Sequence, residues 1–285
     1  MKILIFNPHD FHYEIIESVL FYIDKFINNI NKNTISFVLS IYKNNKSFIN
    51  YIKEKYNNLS IINKNENCSY DYKINISIYP KDIEKIKKSK NIFYISHRVD
   101  SIFDKFDNVF YLTPLNNSKK YIIPNILPYQ DLKINKNQPI FIVQGNIDIK
   151  RKNYKSLIPI LEKFKDIDFK IKILGRGKIP NELKKYNNKL IFKRYYRFKD
   201  YHKEFLDTFC ILPLIDESFE HNYFNNTLTS SISYGLGYNL LFLCHYKLKD
   251  IYRLKKYVSY TDNSDICIGF NKCLQYFYMT NSIKI

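Results

Sequence analysis

Alanine and tryptophan are missing from this 285-residue chain, and glycine occurs only six times. Lys, Asn, Ile, Tyr and Phe dominate instead, which we interpret as the product of a very AT-rich genome. Where small residues are this scarce, each glycine is less easily explained as a neutral filler. Glycine is needed where φ is positive or where the backbone closely approaches another group. All six lie in the second half of the chain: Gly145, Gly175, Gly177, Gly235, Gly237 and Gly269.

Two further absences narrow the class of protein. The five cysteines form no CxxC pair and no zinc-ligand spacing, so we expect free thiols in a reducing compartment. No apolar run approaches the roughly 20 residues of a membrane span, and the N-terminal apolar stretch is too short for a signal peptide. We therefore expect a cytoplasmic protein, of the organism or of an infected host cell, and leave peripheral membrane contact open.

Positive charge is in excess, with 45 Lys+Arg against 27 Asp+Glu and a net charge of +18. Residues 1–130 hold 18 basic and 12 acidic side chains, whereas residues 131–285 hold 27 and 15. The excess is larger in the half that contains the glycines, as an anion-binding half would require. Lysine is nevertheless scattered over both halves, and no RNP-type or helix-turn-helix signature is present. We therefore expect no nucleic acid among the partners.

Short apolar runs alternate with amphipathic segments, a rhythm that predicts parallel sheets flanked by helices. It stops between residues 121 and 139, where Pro124, Pro128 and Pro139 interrupt an Asn-rich stretch. We predict an α/β fold of two Rossmann-like domains whose parallel sheets face a cleft. The predicted limits are 1–125 for the first domain, 126–139 for a linker, 140–265 for the second domain and 266–285 for a last helix that is able to cross back to the first domain.

The individual elements follow from the same periodicity. The predicted strands are 3–6, 35–41, 59–62, 73–78, 92–96, 109–112, 140–144, 169–174, 190–193, 210–215 and 240–244. The predicted helices are 13–28, 48–56, 81–88, 154–164, 180–186, 201–208, 224–234 and 266–278. Because ligands bind beyond the carboxyl ends of the strands in such sheets, the residues after each strand are the candidates for function.

An ordered set of motifs follows the strands of the second half. In chain order it consists of Gly145-Asn146, Arg151-Lys152-Asn153, Gly175-Arg176-Gly177, a strand ending near Pro213, the acidic and Phe-containing segment 216–220, and a helix before another strand. Over residues 138–245 this set resembles the nucleotide-sugar-binding domain of GT-B glycosyltransferases, especially retaining family 4, also called group 1. The resemblance implies a metal-independent, hexosyltransferase-like enzyme with a nucleotide-diphosphate sugar as donor, no cofactor, and a glycan, protein or lipid as acceptor.

The residue types suit that chemistry. As the sugar leaves, negative charge builds on the diphosphate, where basic side chains and helix N-terminal N–H groups can stabilise it. Arg151 is able to bind two phosphate oxygens in a fork, and Lys152 acts as a point charge. We expect a functional role for one of the two and expect both to be exposed. The alternative is a solvated basic run in a lysine-rich chain.

Backbone at Gly175 and Gly177 is expected to approach the nucleotide, and Arg176 to reach a phosphate or the base. Pro180 and Asn181 break a full GxGxxG pattern, so we expect no dinucleotide cofactor. Tyr195 is a candidate for stacking on the base, although tyrosine is so abundant here that a packing role is the stronger alternative.

The acidic motif departs from the family pattern. Glu217 or Glu220 supplies the first carboxylate, which contacts sugar or ribose in the family, but the second position falls in the segment 227–232, which contains none. The hydroxyls of Thr229 and Ser230 are candidates for phosphate or ribose in its place. The gap also motivates an alternative function, a catalytically inactive GT-B-like binding or scaffold module.

In the first half, His97 follows a strand and resembles the histidine that GT-B enzymes place near the donor sugar. His12 or Glu14 is a candidate base toward an acceptor hydroxyl. The alternative for each is a structural polar group. Asp166 and Asp168 mimic a metal-binding DxD motif, but they precede a strand, so we predict no metal site.

Overall fold

The computed structural model describes residues 1–27, 36–41, 45–56, 59–63, 65–115, 120–126, 130–194, 197–217, 223–262 and 264–282. The chain divides into two compact units. Unit 1 comprises Met1–Leu127, Arg197–Lys199 and Asn225–Leu228, and unit 2 comprises Pro128–Tyr196, Asp200–Phe224 and Thr229–Ile285. Two short segments of the second half therefore belong to unit 1, an arrangement that the sequence does not predict.

Unit 1 is built on a six-stranded parallel sheet with the strand order β3-β2-β1-β4-β5-β6. Its strands are β1 (Lys2–Phe6), β2 (Ser36–Ile41), β3 (Leu59–Asn63), β4 (Tyr72–Ile78), β5 (Ile92–Ser96) and β6 (Val109–Tyr111). Its helices are α1 (Tyr13–Ile27), α2 (Lys46–Lys55) and the 3-10 turns Pro80–Lys85 and Ser101–Phe103. The order is that of a Rossmann-like sheet.

Unit 2 repeats this order, reading β12-β11-β10-β7-β8-β9. Its strands are β7 (Ile140–Gln144), β8 (Lys170–Leu174), β9 (Leu190–Lys193), β10 (Cys210–Ile211), β11 (Leu241–His245) and β12 (Tyr257–Tyr260). Its helices are α3 (Leu157–Lys163), α4 (Phe198–Lys203, whose first two residues belong to unit 1), α5 (Ser230–Gly237), α6 (Tyr246–Tyr252), α7 (Ile266–Ser282) and the 3-10 turns Tyr154–Ser156 and Asn181–Tyr186. The prediction of two Rossmann-like domains with parallel sheets is confirmed.

Several predicted elements are shorter than expected, among them the helix predicted over 201–208, which ends at Lys203. The strand predicted over 210–215 ends at Ile211, because Pro213 lacks an N–H group for the ladder and Leu214 has a φ of 54°. The helix predicted over 224–234 begins only at Ser230. Residues 223–226 form turns instead, and Thr227 forms an antiparallel bridge with Arg98 in unit 1. In the predicted linker, residues 126 and 130–139 carry no helix or strand.

The last helix, α7, packs on the sheet of unit 2. Its Phe270 is fully buried and stacks on Phe141 of β7, with ring centroids 4.4 Å apart. Gly269 brings the helix close to β11, since a Cβ there would lie 2.8 Å from Leu243 Cδ1. An apolar cluster therefore fixes α7, and Gly269 allows the close helix–strand packing.

We expect Phe270→Ala to lower the free energy of unfolding of unit 2 by about 3–5 kcal/mol, because it leaves a cavity against Phe141. Urea unfolding followed by circular dichroism measures the change. Tyr278→Ala, on the exposed side of the same helix, is the control and should cost far less. Equal losses for the two variants would contradict the packing of α7 described above.

Candidate functional site

The first candidate site lies in unit 2, at the carboxyl ends of β7 and β10. These strands are neighbours although β8, β9 and the helices α3 and α4 lie between them in the chain, so the strand order reverses between them. Open α/β sheets bind ligands at such a switch point. Gly145 follows β7 with a φ of 111°, which favours glycine.

The glycines after β8 bring two loops together. Gly145 N donates to Leu174 O at 2.9 Å. A Cβ on Gly175 would lie 1.9 Å from Gly145 O, and one on Gly177 would lie 2.3 Å from Ile147 O. The group that approaches both glycines is therefore the backbone of residues 145–147, whereas the sequence suggested a nucleotide. Contact of these glycines with a nucleotide stays a prediction.

Lys152 is the buried cation of this site. The residue is 5% exposed, in contrast to the expected exposure, and its Nζ donates to Pro213 O and Ser231 Oγ, both at 3.1 Å. Within the described ranges no carboxylate pairs with it. The other buried lysine of unit 2, Lys172, has two carboxylate partners. Burial without a counter-charge lowers the pKa of Lys152 to about 7.

Hydroxyl groups at the start of α5 complete the surroundings of this lysine. Thr229 is the buried residue before the helix, and Ser230 and Ser231 open it. The Ser231 hydroxyl accepts from Lys152 and lies 3.2 Å from Oε1 of Gln144, which also bonds to Ser230. The sequence motifs did not select Gln144, although a polar residue at the end of the apolar strand 140–144 is a usable signal of a site residue.

Four further predicted residues of unit 2 are exposed: Asn146, Arg151, Arg176 and Glu217. Asn146 and Arg176 face solvent, and Arg151 lies with its Nε 3.5 Å from Asp148 Oδ2. Glu217 Oε1 is 2.8 Å from Lys247 Nζ, and this hydrogen bond lowers the pKa of the carboxyl. Glu220 and Tyr195 lie outside the described residues.

Asn153 ties the loop after β7 to the loop after β10, a link that the sequence did not indicate. Its Nδ2 donates to Asp216 Oδ2 at 2.7 Å, and its N donates to Leu214 O at 2.8 Å. Its Oδ1 accepts from Ser156 N and so begins the 3-10 turn that leads into α3. The position of Lys152, directly before Asn153, is fixed by these bonds.

Unit 1 contains the second candidate site, after β1, β4 and β5. Three predicted residues meet there. His12 Nδ1 is 3.3 Å from Glu14 Oε1, and the rings of His12 and His97 are 4.2 Å apart. His12 Nε2 is 3.0 Å from the hydroxyl of Tyr79, which the sequence analysis did not select. The result is a Glu14–His12–Tyr79 chain of hydrogen bonds.

The charges of this chain follow from its contacts. Burial raises the pKa of Glu14, but the hydrogen bond to His12 and the charges of His12 and His97 outweigh it, so the pKa is lowered. An ionised Glu14 favours the His12 tautomer with the proton on Nδ1. Burial raises the pKa of Tyr79, whose protonated hydroxyl can then donate to Nε2. Nε2 is thus the basic atom of the cluster.

A depression of about 480 Å³ adjoins Tyr79. It is lined by His9, Phe11, Tyr79, Pro80 and Lys81. His9 stacks on the exposed ring of Phe11, with centroids 4.7 Å apart, and its Nε2 is 3.1 Å from Ser77 O. The sheet is irregular at Ser77, where φ is 60°, and this places the carbonyl against the histidine.

In the described part of the chain, no group of three or more His, Cys, Asp or Glu side chains is arranged to hold a metal ion. Asp168, from the DxD-like segment, accepts a hydrogen bond from Gln138 before β8 begins. None of the described helices is both long and apolar enough to cross a membrane.

The sequence matches no protein-family model and no curated protein. Solved structures are similar. They include an α-glucosyltransferase in complex with UDP and a 13-mer DNA containing an A:G mismatch (12% identity, TM-score 0.60, 97% of this chain and 90% of that chain). A glycosyltransferase from Rickettsia africae ESF-5 has 13% identity and a TM-score of 0.57, over 99% of this chain and 91% of that chain.

Sucrose-phosphate synthase from Thermosynechococcus elongatus is also similar, with 8% identity and a TM-score of 0.55, over 99% of this chain and 92% of that chain. At these identities the likeness establishes the fold. The chain has the two-domain, Rossmann-like GT-B fold, and its resemblance to GT-B glycosyltransferases is confirmed at that level. The neighbours in the fold are themselves glycosyltransferases.

Lys152 predicts a pH-dependent stability. In the unfolded chain lysine holds its proton up to a pKa of 10.5, but folded Lys152 loses it at about 7. Between these values the unfolded state binds more protons, so the free energy of unfolding rises with pH, by at most about 1.4 kcal/mol per pH unit. Urea unfolding from pH 6.5 to 9 measures the slope.

Lys152→Met should flatten this slope, while Lys255→Met, at an exposed turn of unit 2, should leave it unchanged. The comparison of slopes separates the titration of Lys152 from any general loss of stability in the variant. An identical slope in the wild type and in Lys152→Met would show that Lys152 stays protonated in the folded protein.

Proposed function

We propose that the protein is a glycosyltransferase, hexosyltransferase-like and metal-independent, which transfers a sugar from a nucleoside-diphosphate sugar to an acceptor hydroxyl. The observation that carries this proposal is Lys152, a buried lysine with no described carboxylate partner, at the switch point of a GT-B fold. A buried ammonium group is costly unless an anion accompanies it. A diphosphate supplies that anion.

The donor diphosphate is proposed to lie between Lys152 and the start of α5. Helix N-termini attract phosphate through their free N–H groups and the helix dipole. The hydroxyls of Thr229 and Ser230 are next to those groups. As the bond from the anomeric carbon to the diphosphate oxygen breaks, the growing charge strengthens the contact with Lys152. Arg151 supplies a second, exposed charge.

The rest of the donor is assigned to the surrounding loops. We assign the nucleotide to Gly145, Asn146 and the 175–177 loop, where Arg176 is exposed, with Tyr195 as a stacking candidate. Glu217 or Glu220 is assigned to sugar or ribose, and His97 to the donor sugar. These assignments rest on the family resemblance and on the place of the loops at the carboxyl ends of the strands.

The acceptor is assigned to unit 1. His12 Nε2 is proposed to take the proton of the acceptor hydroxyl by way of Tyr79, whose own proton passes to Nε2 while its oxygen accepts the proton of the acceptor; the acceptor oxygen then forms the bond to the anomeric carbon. The nucleoside diphosphate leaves with the electrons of the broken bond. Glu14 holds the Nδ1 proton and stabilises the imidazolium that forms, as a carboxylate does in a catalytic triad.

A second candidate function is an inactive GT-B-like binding or scaffold module. It is favoured by the start of α5, where hydroxyls stand in place of the second carboxylate of the family. Such a module binds a nucleoside diphosphate but transfers no sugar. The acceptor panel that separates the two should hold glycans, proteins and lipids, and also duplex DNA, since one structural neighbour was solved with DNA.

The free cysteines support a reducing, cytoplasmic setting for this activity. All five cysteines are free thiols, and four of them are buried: Cys210, Cys244, Cys267 and Cys273. Thiols in this state persist where glutathione or thioredoxin keeps them reduced. Nucleoside-diphosphate sugars as donors fit the same setting.

Titration calorimetry with UDP, GDP and ADP tests the proposed donor site. We expect one of them to bind, and Lys152→Met to weaken it about 10- to 100-fold through loss of a charged hydrogen bond. Lys255→Met, an exposed charge removal, is the matched control. Binding of none of the three nucleotides would count against both candidate functions, and unchanged affinity in Lys152→Met would remove this lysine from the site.

Donor hydrolysis tests the proposed base. With the sugar nucleotide whose diphosphate binds, His12→Gln should slow release of the nucleoside diphosphate by about 10²- to 10⁴-fold. Nucleotide affinity should stay unchanged, because the diphosphate is assigned to unit 2. No hydrolysis or transfer by the wild type with the full acceptor panel, together with intact nucleotide binding, would favour the inactive module.

A further inference from the structure

Gln144, the last residue of β7, carries a buried amide among hydroxyl groups at the proposed donor site. The residue is 3% exposed. Its Nε2 donates to Tyr201 OH at 2.5 Å and to Ser230 Oγ at 3.2 Å. Its Oε1 lies 3.2 Å from Ser231 Oγ and 3.3 Å from Ser230 Oγ. The amide therefore both donates and accepts at one point of the site.

The direction of the proton in each bond can be assigned from the donors. The charged form of Lys152, the one that would accompany a diphosphate, has protons only to give, so Ser231 Oγ accepts from it. The single proton of Ser231 must then go to an acceptor, and the structure offers Gln144 Oε1 at 3.2 Å and Gln144 O at 3.4 Å. Gln144 thereby holds Ser231 in the orientation that accepts from the lysine.

Ser230 is held in the complementary way. Nε2 of Gln144 donates to Ser230 Oγ, which occupies an oxygen lone pair and leaves the hydroxyl proton to be given away. Oε1 of Gln144 is within reach of that proton, but Oε1 also serves Ser231. An ionised phosphate oxygen is the stronger acceptor. Ser230 is half-buried at the opening turn of α5, where such an oxygen would lie.

We infer that Gln144 is a positioning residue for the diphosphate: through Ser231 it orients Lys152, and through Ser230 it presents a hydroxyl proton to a phosphate oxygen. This inference rests on the proposed function. A neutral amide suits the role because it donates on one side and accepts on the other. A carboxylate only accepts, so it would draw both serine protons to itself and add a negative charge beside the diphosphate.

Gln144→Glu tests this role, because the change keeps the size of the side chain. At pH 8 we expect the affinity for the nucleoside diphosphate that binds the wild type to fall about 10- to 100-fold. As the pH is lowered toward 5, the ratio of the two affinities should return toward one. The protonated carboxyl then has one O–H donor and one carbonyl acceptor, like the amide. A ratio at each pH cancels ionisation of the nucleotide itself.

Gln275→Glu is the matched control, since it makes the same change on the exposed side of α7 and should bind like the wild type at every pH. Gln144→Met is a second variant that keeps the packing and removes every hydrogen bond. It should lose about 10-fold in affinity at all pH values, and its folding and that of Gln144→Glu are checked by thermal unfolding.

The outcomes distinguish failure of the proposed function from failure of the inference on Gln144 alone. A wild type that binds no nucleoside diphosphate overturns the proposed function and this inference with it. A wild type that binds, with Gln144→Glu or a folded Gln144→Met binding equally well, overturns the inference alone. A Gln144→Glu variant that loses affinity without recovery at low pH shows a merely structural role and also overturns it.

Discussion

The candidate donor site depends on one physical constraint, the burial of the Lys152 ammonium group beside neutral polar atoms. The ammonium group donates hydrogen bonds to Pro213 O and Ser231 Oγ. Gly145 lies beside it at a φ of 111°, which favours glycine. The early end of β10 and the late start of α5 supply the carbonyl and the hydroxyl. The irregular backbone at the end of β10 and the start of α5 therefore lies at the same place as the buried charge of Lys152.

The cluster in unit 1 has a different origin. His12 and Glu14 are two residues apart, so their contact is local and is helped by the positive φ of His12. Tyr79 follows β4 and His97 follows β5, so only the parallel sheet brings them to the same edge as His12. A local pair thus becomes a three-membered chain through tertiary structure. The hydrogen bonds to Glu14 and Tyr79, and not the histidine alone, make Nε2 of His12 the basic atom.

Periodicity predicted most of the sheets, since buried parallel strands read as apolar runs between turns. It missed α6 and β12, because 246–260 is rich in Lys and Tyr and β12 is a partly exposed edge strand. It also predicted helix over 224–234, where an apolar pattern exists. There residues 223–226 form turns and Thr227 forms a bridge with Arg98, and no local pattern reports such a bond.

The sequence alone determined the class of fold and the order of the motifs along the chain. It also selected Gly145, directly after a strand, and Lys152, at the opening of the next helix, because strand and helix ends can be read from periodicity. The family resemblance selected Thr229 and Ser230. The tertiary structure decided what each residue touches. Gly175 and Gly177 admit backbone, Lys152 is buried without a described carboxylate partner, and Gln144 links two serines 86 and 87 residues away. Such contacts join distant strands, so they depend on strand order and loop packing, which local sequence patterns do not encode.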